Sequence, residues 1–87
     1  MREHIDNYIN FLTVVKRSSQ NTIASYRRDL MKLCMHFEDK GCIDVTDINS
    51  MDLNTYVIEL KSQGMSLATI SRNIASIKSF FLYLLKQ

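Results

Sequence analysis

Apolar residues recur at intervals of three and four positions along four stretches of this chain, and that spacing predicts amphipathic α-helices. No stretch shows the alternation of apolar and polar residues, bounded by turn residues, that is typical of strands. The chain has no proline and only two glycines, Gly41 and Gly64, which fall where helices are expected to end. The pattern therefore predicts an all-α fold, a compact four-helix bundle.

The first two predicted helices lie in the N-terminal half. The first runs from about Glu3 to about Lys16, and the second opens with Ser19 as its N-cap and ends at Gly41. The positions expected to face the core are Ile5, Tyr8, Ile9, Leu12 and Val15 in the first helix, and Ile23, Tyr26, Leu30, Leu33, Cys34 and Phe37 in the second. A linker over residues 42–48 follows, with Ile43, Val45 and Ile48 expected to turn inward.

The last two predicted helices are joined by a short loop, so they should be neighbours. Asn49 and Asp52 resemble a capping box at the start of the third helix, which runs to about Gln63 and ends at Gly64. Ser66 caps the fourth, which extends to Leu85. The expected core positions are Leu53, Tyr56, Val57 and Leu60 in the third helix, and Leu67, Ile70, Ile74, Ile77, Phe81 and Leu84 in the fourth.

Length and composition narrow the classes of protein to consider. A chain of 87 residues is expected to form one domain with a thin core. No apolar run is long enough for a transmembrane helix and no signal peptide is evident, so we expect a cytoplasmic protein in which Cys34 and Cys42 stay reduced. These cysteines and the two distant histidines lack the spacing of a zinc site, and neither a metal nor a cofactor is expected.

Charge is distributed unevenly along the chain although its net value is only +2. The segments 16–37 and 61–87 each carry a net charge of +4, and the segment 38–60 between them carries −5. Two basic helices that pack as neighbours would form a one-sided basic surface, which is the electrostatic pattern of a nucleic-acid-binding protein. The alternative is an ordinary solvated surface of mixed charge.

Candidate contacts to nucleic acid lie on the polar faces of the second and fourth helices. In the second helix they are Asn21 and Thr22 in the first turn, where free backbone N–H groups favour a phosphate, and Ser25, Arg28 and Lys32 along one face. In the fourth helix they are Thr69, Arg72, Ser76 and Ser79, on a face expected to be open to solvent. Local capping, or simple solvation, is the alternative role for each of these residues.

The chain resembles the N-terminal core-binding domain of tyrosine recombinases of the phage-integrase and Xer type. In the second helix the resemblance rests on Ser19, Asn21, Thr22, Ile23, Tyr26, Arg27, Arg28, Asp29 and Leu30. Further along it rests on Ile48, Asp52, Gly64, Ser66, Thr69, Ile70, Arg72, Ile77, Phe80, Phe81 and Leu84. It covers nearly the whole chain and keeps the order and spacing of the four helices, although no single motif is diagnostic.

The resemblance implies a small SAM-like helical bundle that closes over one side of double-stranded DNA through its second and fourth helices. In the family, a separate C-terminal domain clamps the other side and carries the catalytic residues. The resemblance therefore implies a DNA-binding part of a recombinase, active in DNA integration or recombination, that is not an enzyme by itself. Its expected partners are DNA, the catalytic domain of the same polypeptide and other recombinase protomers, and no membrane.

The alternative function is a helical protein-interaction module that contacts a partner through the acidic segment 38–60 and apolar residues off the core stripes. Met31, Met35, Ile58 and Leu82 lie off the predicted core stripes and could contact a partner subunit or the catalytic domain. An autonomous enzyme is disfavoured, because no constellation of catalytic residues or phosphate-binding glycine loop is present. Tyr8, Tyr26 and Tyr56 fall on core stripes, and Tyr83 has no Arg/His cluster around it, so none is expected to be a nucleophile.

Overall fold

A computed structural model describes residues 1–42 and 44–87, and the prediction of an all-α bundle is confirmed. Within these ranges the α-helices are α1 (Arg2–Val14), α2 (Gln20–Asp39), α3 (Ser50–Ser62) and α4 (Leu67–Leu85). A short 3₁₀ turn, Val45–Asp47, lies in the linker between α2 and α3. Val45 and Ile48 are buried, as expected, whereas the inward position expected for Ile43 lies outside the described residues.

Helices α2 and α4 begin with the same local structure, a Ser-x-x-Thr cap. The Ser19 hydroxyl accepts a hydrogen bond from the Thr22 backbone N–H at 3.2 Å and donates to the Thr22 hydroxyl at 3.0 Å. Ser66 and Thr69 repeat both contacts at the same distances. Each cap satisfies one of the backbone donors that a helix start leaves free.

Helix α3 begins with the capping box that its sequence predicts. The Asn49 side chain accepts from the Asp52 backbone N–H at 2.8 Å, and the Asp52 carboxylate accepts from the Asn49 N–H at 3.0 Å. The helix is followed by Gly64 at φ 80°, and α2 is followed by Gly41 at φ 86°. Both glycines therefore terminate helices in the left-handed region, where a Cβ would be disfavoured.

Helix α1 is shorter than the sequence predicts, because it ends at Val14 and not near Lys16. The chain turns at Arg17, which has φ 50°, and the Ser18 N–H reaches back to the Leu12 carbonyl at 3.0 Å. This early turn leaves Val15 exposed, so its predicted place in the core is wrong. The turn is made by a residue with a side chain in a backbone region that glycine adopts at lower cost.

The hydrophobic core lies where α1, α2 and α4 meet, with α3 covering one side. Its most deeply buried apolar side chains are those of Ile5, Tyr8, Leu30, Leu33, Cys34, Leu60 and Phe80. The Tyr8 and Phe80 rings lie 5.5 Å apart in a tilted pair, a separation typical of favourable aromatic contacts. These contacts fix α4 against α1 and α2.

The buried face of α4 is rotated away from the face that its sequence predicts. Asn73, Ser76 and Phe80 are buried, whereas Leu67 is exposed and Ile74 is only half-buried. Arg72, one turn before the small Ser76, bonds Asp29 of α2, and Cα atoms of the two helices approach within 8 Å. Close packing of α2 therefore decides which face of α4 is buried, and it leaves several apolar residues of α4 at the surface.

Replacement of Phe80 by Ala should lower the free energy of unfolding by about 3–5 kcal/mol, because it removes a fully buried ring from the centre of the core. Urea denaturation followed by circular dichroism measures this loss. Leu85→Ala is the control, and its effect should stay within about 0.5 kcal/mol because Leu85 is exposed. Similar losses for both variants would contradict the described core.

Candidate nucleic-acid interface

Helices α2 and α4 pack side by side in antiparallel directions. Thr22 near the start of α2 and Ser79 near the end of α4 line one concavity. In the middle of the pair, Asp29 of α2 bonds Arg72 of α4. Lys32 then reaches Met65, which precedes α4. Because these contacts run in opposite order along the two helices, the start of α2 and the start of α4 lie at opposite ends of one surface, which we call the α2–α4 face.

Three polar or basic side chains follow one another along α2 on this face. Ser25 is half-buried, while Arg28 and Lys32 are exposed. Within residues 1–42 and 44–87, neither cation forms a salt bridge. The Lys32 ammonium lies 3.8 Å from the Met65 sulfur, a weak contact that leaves its charge uncompensated. Asn21 is also exposed, one turn before Ser25.

Arg72 is held by a bidentate ion pair that crosses from α4 to α2. Its Nε and Nη2 atoms donate to the two carboxylate oxygens of Asp29, each at 2.8 Å. The Asp29 side chain is 4% exposed and that of Arg72 is 34% exposed. The hydrogen bonds with Asp29 raise the pKa of the Arg72 guanidinium above its usual value. Nη1 takes no part in the pair, so its N–H donors remain for a second acceptor.

The prediction that Ser76 is open to solvent is wrong. Ser76 is 0% exposed, and its hydroxyl donates to the Asn73 carbonyl at 2.9 Å inside the bundle. The rotation of α4 explains the difference, because the face expected to be open is the one that packs against α2. Ser76 is therefore a packing residue and cannot reach a ligand outside the bundle.

The remaining predicted contacts lie at the two ends of the α2–α4 face. Thr69 is half-buried and belongs to the cap of α4. At the other end, Thr22 and Ser79 line a concavity of about 420 Å³ together with Lys16 and Lys86. A hydrogen bond with Ser79 opposes the effect of burial on Tyr8, whose pKa is nevertheless raised because burial dominates. This end combines two ammonium groups with several hydroxyls.

Asp29 is the residue of this face that sequence reasoning missed. It lies three positions after Tyr26 and four before Leu33, on the stripe of α2 that faces the core. A carboxylate on a buried stripe requires a cationic or hydrogen-bonding partner, and this requirement was the available signal. From this requirement, Arg72 of α4, a helix that has no carboxylate of its own, could have been identified as the partner of Asp29.

Other ion pairs lie away from the α2–α4 face or at its edge. Arg27 pairs with Asp6 at 3.3 Å. Arg2 pairs with Glu38 at 2.9 Å, and Glu59 lies near both His36 and Lys40. These carboxylates neutralise cations elsewhere, which leaves Arg28 and Lys32 as a local excess of positive charge.

Two kinds of feature are absent from the described part of the chain. In residues 1–42 and 44–87, no three His, Cys, Asp or Glu side chains come together in a way that could hold a metal ion. The same residues contain no helix whose length and hydropathy would let it cross a membrane.

Replacement of Asp29 by Asn should lower the free energy of unfolding by about 2 kcal/mol, measured by urea denaturation. This value is intermediate because the Asp29 side chain is buried while that of Arg72 is one-third exposed. Breaking a fully buried ion pair costs more, and breaking an exposed pair costs less. Asp6→Asn is the matched control, because its pair with Arg27 is exposed. That variant should change stability by less than about 0.5 kcal/mol, and equal effects would refute a special role for Asp29.

The Tyr56 hydroxyl should ionise at a pH well above the usual range for a tyrosine. Burial, together with the nearby charges of Asp29 and Glu59, raises its pKa to about 12, and its hydroxyl has no hydrogen-bond partner within the described residues. Its pKa in the unfolded chain is about 10, so its contribution to stability is present below pH 10 and is lost as the pH rises toward 12. Tyrosinate absorbance should show a late transition that disappears in Tyr56→Phe; an unchanged titration in that variant would contradict this assignment.

The sequence of this chain matches a known protein family. Residues 5–87 match the family model described as "Phage integrase, N-terminal SAM-like domain". The chain is 37% identical over 84 residues to the tyrosine recombinase XerD of Oceanobacillus iheyensis, an alignment that covers 95% of this chain and 28% of the relative. It is 30% identical over 87 residues to the tyrosine recombinase XerC of Pseudomonas aeruginosa strain PAO1, covering all of this chain and 29% of the relative.

No solved structure matches the chain. The chain spans less than a third of the length of these curated relatives, and the part of the family that it matches is the N-terminal domain. The resemblance in the sequence and the four-helix architecture agree with this match. The chain belongs to the phage-integrase family and corresponds to the N-terminal SAM-like domain of its tyrosine recombinases.

Proposed function

We propose that this chain binds double-stranded DNA through the α2–α4 face and serves as one DNA-contacting part of a site-specific tyrosine recombinase. The observation that carries the proposal is the pair of exposed, uncompensated cations, Arg28 and Lys32, on the face that α2 forms with α4. Between Asn21 and Lys32 of α2 and along all of α4, the only acidic residue is Asp29, and Arg72 already neutralises it. Such a surface attracts the phosphate backbone at long range.

The dimensions of the α2–α4 face suit the major groove of B-DNA. Ten residues separate Thr22 from Lys32, which corresponds to about 15 Å along the helix. The major groove is about 12 Å wide. The two helix starts, at opposite ends of the face, can therefore approach phosphates on the two sides of the groove while the middle of the face lies over base edges.

Each residue of the face has a distinct proposed role. Arg28 and Lys32 contact phosphates as exposed cations, since phosphate contacts position a protein on the duplex. Arg72 contributes the free edge of a guanidinium that Asp29 holds in a fixed orientation, which lowers the entropy lost on binding. Ser25, near the middle, approaches the bases. At the two ends of the face, the proposed contacts come from Asn21, Thr22 and Ser79 at one end and from Thr69 at the other.

The length of the relatives indicates that the proposed recombinase would contain more than this domain. They carry the printed name tyrosine recombinase and are more than three times as long as the matched segment. We infer that this chain supplies one side of a clamp on recombination-site DNA, and that a catalytic domain and other protomers supply the rest. Binding by this chain alone should therefore be weak and strongly dependent on salt.

The double variant Arg28→Ala/Lys32→Ala should weaken binding to a short duplex and reduce the slope of log K against log salt by about 2, because two phosphate contacts are lost. Fluorescence anisotropy at several salt concentrations measures both quantities. Lys61→Ala/Lys78→Ala is the matched control: it removes the same charge from the groove between α3 and α4.

The control should keep a salt slope close to that of the parent chain. If both double variants lose affinity equally, net charge and not the α2–α4 face determines binding. If the parent chain fails to bind the duplex at low salt, the proposed function is wrong.

A further inference from the structure

An apolar groove runs between α3 and α4, on a side of α4 different from the one that carries Arg72 and Ser79. One part has a volume of about 620 Å³ and is lined by Leu53, Val57, Ile58, Ile74 and Ile77, with Lys61 and Lys78 beside them. A second part, of about 330 Å³, continues along α4. The two parts share Leu53, Ile77 and Lys78, so they form one groove.

Large apolar side chains of this groove are left in contact with water. Ile58 is 63% exposed, Leu82 is 56% exposed and Leu85 is 81% exposed. Ile58 lines the first part of the groove, and Leu82 and Leu85 line the second. Exposed apolar side chains that line one groove are typical of interaction sites. Leu82 lies off the core stripe that the sequence predicts for α4, and Leu85 lies in the last turn of that helix.

The charges around the groove have a single sign. Its only charged lining residues in the described part of the chain are Lys61 of α3 and Lys78 of α4, and neither forms a salt bridge there. The nearest acidic residues of α3 are engaged elsewhere: Asp52 in the helix cap, and Glu59 with His36 and Lys40. An occupant should therefore present carboxylates beside an apolar stripe.

We propose that the groove binds an acidic amphipathic helix of a protein partner. Its apolar stripe would pack on Val57, Ile74 and Phe81, and its flanking carboxylates would pair with Lys61 and Lys78 on the two walls. The groove follows α4 from Ile74 to Leu85, about 16 Å, which accommodates three turns of helix. An amphipathic helix in an apolar groove is a recurrent mode of peptide recognition.

Nucleic acid is a poor occupant for this groove. The walls are largely apolar, and phosphates placed against them would lose hydration without gaining hydrogen bonds. The DNA-contacting residues proposed above lie on another side of α4 and on α2. A partner helix and a duplex could therefore be bound at the same time, so the two proposals can fail independently.

The test uses two synthetic amphipathic peptides of about 15 residues, identical except that Glu flanks the leucine stripe in one and Lys flanks it in the other. Each peptide is titrated into the isotope-labelled 87-residue chain and followed by two-dimensional NMR. The Glu peptide should shift resonances of residues 53–61 and 74–85, both with and without a short duplex present. The Lys peptide should bind at least about tenfold more weakly.

Charge reversal sharpens the test. In Lys61→Glu/Lys78→Glu the preference should invert, so that the Lys peptide binds more tightly than the Glu peptide. Lys16→Glu/Lys86→Glu, which reverses two cations of the concavity near Thr22, should keep the original preference. Leu82→Asp should abolish peptide binding without loss of helical circular dichroism, because Leu82 is already exposed.

Three results would overturn the proposal. If the parent chain binds the Glu and Lys peptides equally well, and Lys61→Glu/Lys78→Glu does so too, then charge does not select the occupant of the groove. Groove resonances that shift with protein concentration alone would assign the groove to a second copy of this chain. Shifts of the same resonances by phosphatidylglycerol vesicles, with no shift by the Glu peptide, would assign it to an anionic lipid surface.

Discussion

Close packing of α2 against α4 is the constraint on which the rest of this molecule depends. The small residue Ser76 of α4 is fully buried, and the Asp29–Arg72 pair joins α4 to α2 through two hydrogen bonds of 2.8 Å. The pair costs desolvation, so its value lies in fixing how the helices are aligned more than in net stability. Once that alignment is fixed, it determines which residues form the α2–α4 face and which line the apolar groove between α3 and α4.

The same packing divides the surface of α4 into regions of different chemistry. The side toward α2 carries polar and basic groups, and the side toward α3 carries apolar groups with two lysines. Carboxylates elsewhere in the chain are largely occupied by helix caps or by pairs with Arg2, Arg27 and Lys40. A net charge of only +2 is therefore compatible with local surfaces on which cations have no carboxylate partner.

Much of the fold could be predicted from local sequence signals, and the part that could not was tertiary. Ser19, Asn49, Ser66, Gly41 and Gly64 act within one or two turns of chain, so their residue types sufficed to place helix ends. The orientation of α4 depends on which neighbour packs against it, and periodicity alone favoured Leu67 over Ser76. The exposure of Arg28 and Lys32 follows from the periodicity of α2 alone, whereas the pairing of Asp29 with Arg72 forms only when two distant helices meet.

The repeated Ser-x-x-Thr starts of α2 and α4 have a consequence for symmetry. Because the two helices are antiparallel, their matching starts lie at opposite ends of the α2–α4 face and point in opposite directions. The strands of a DNA duplex are also antiparallel and are related by two-fold axes across the groove. In the proposed mode of DNA binding, each helix start would therefore approach a different strand of the duplex.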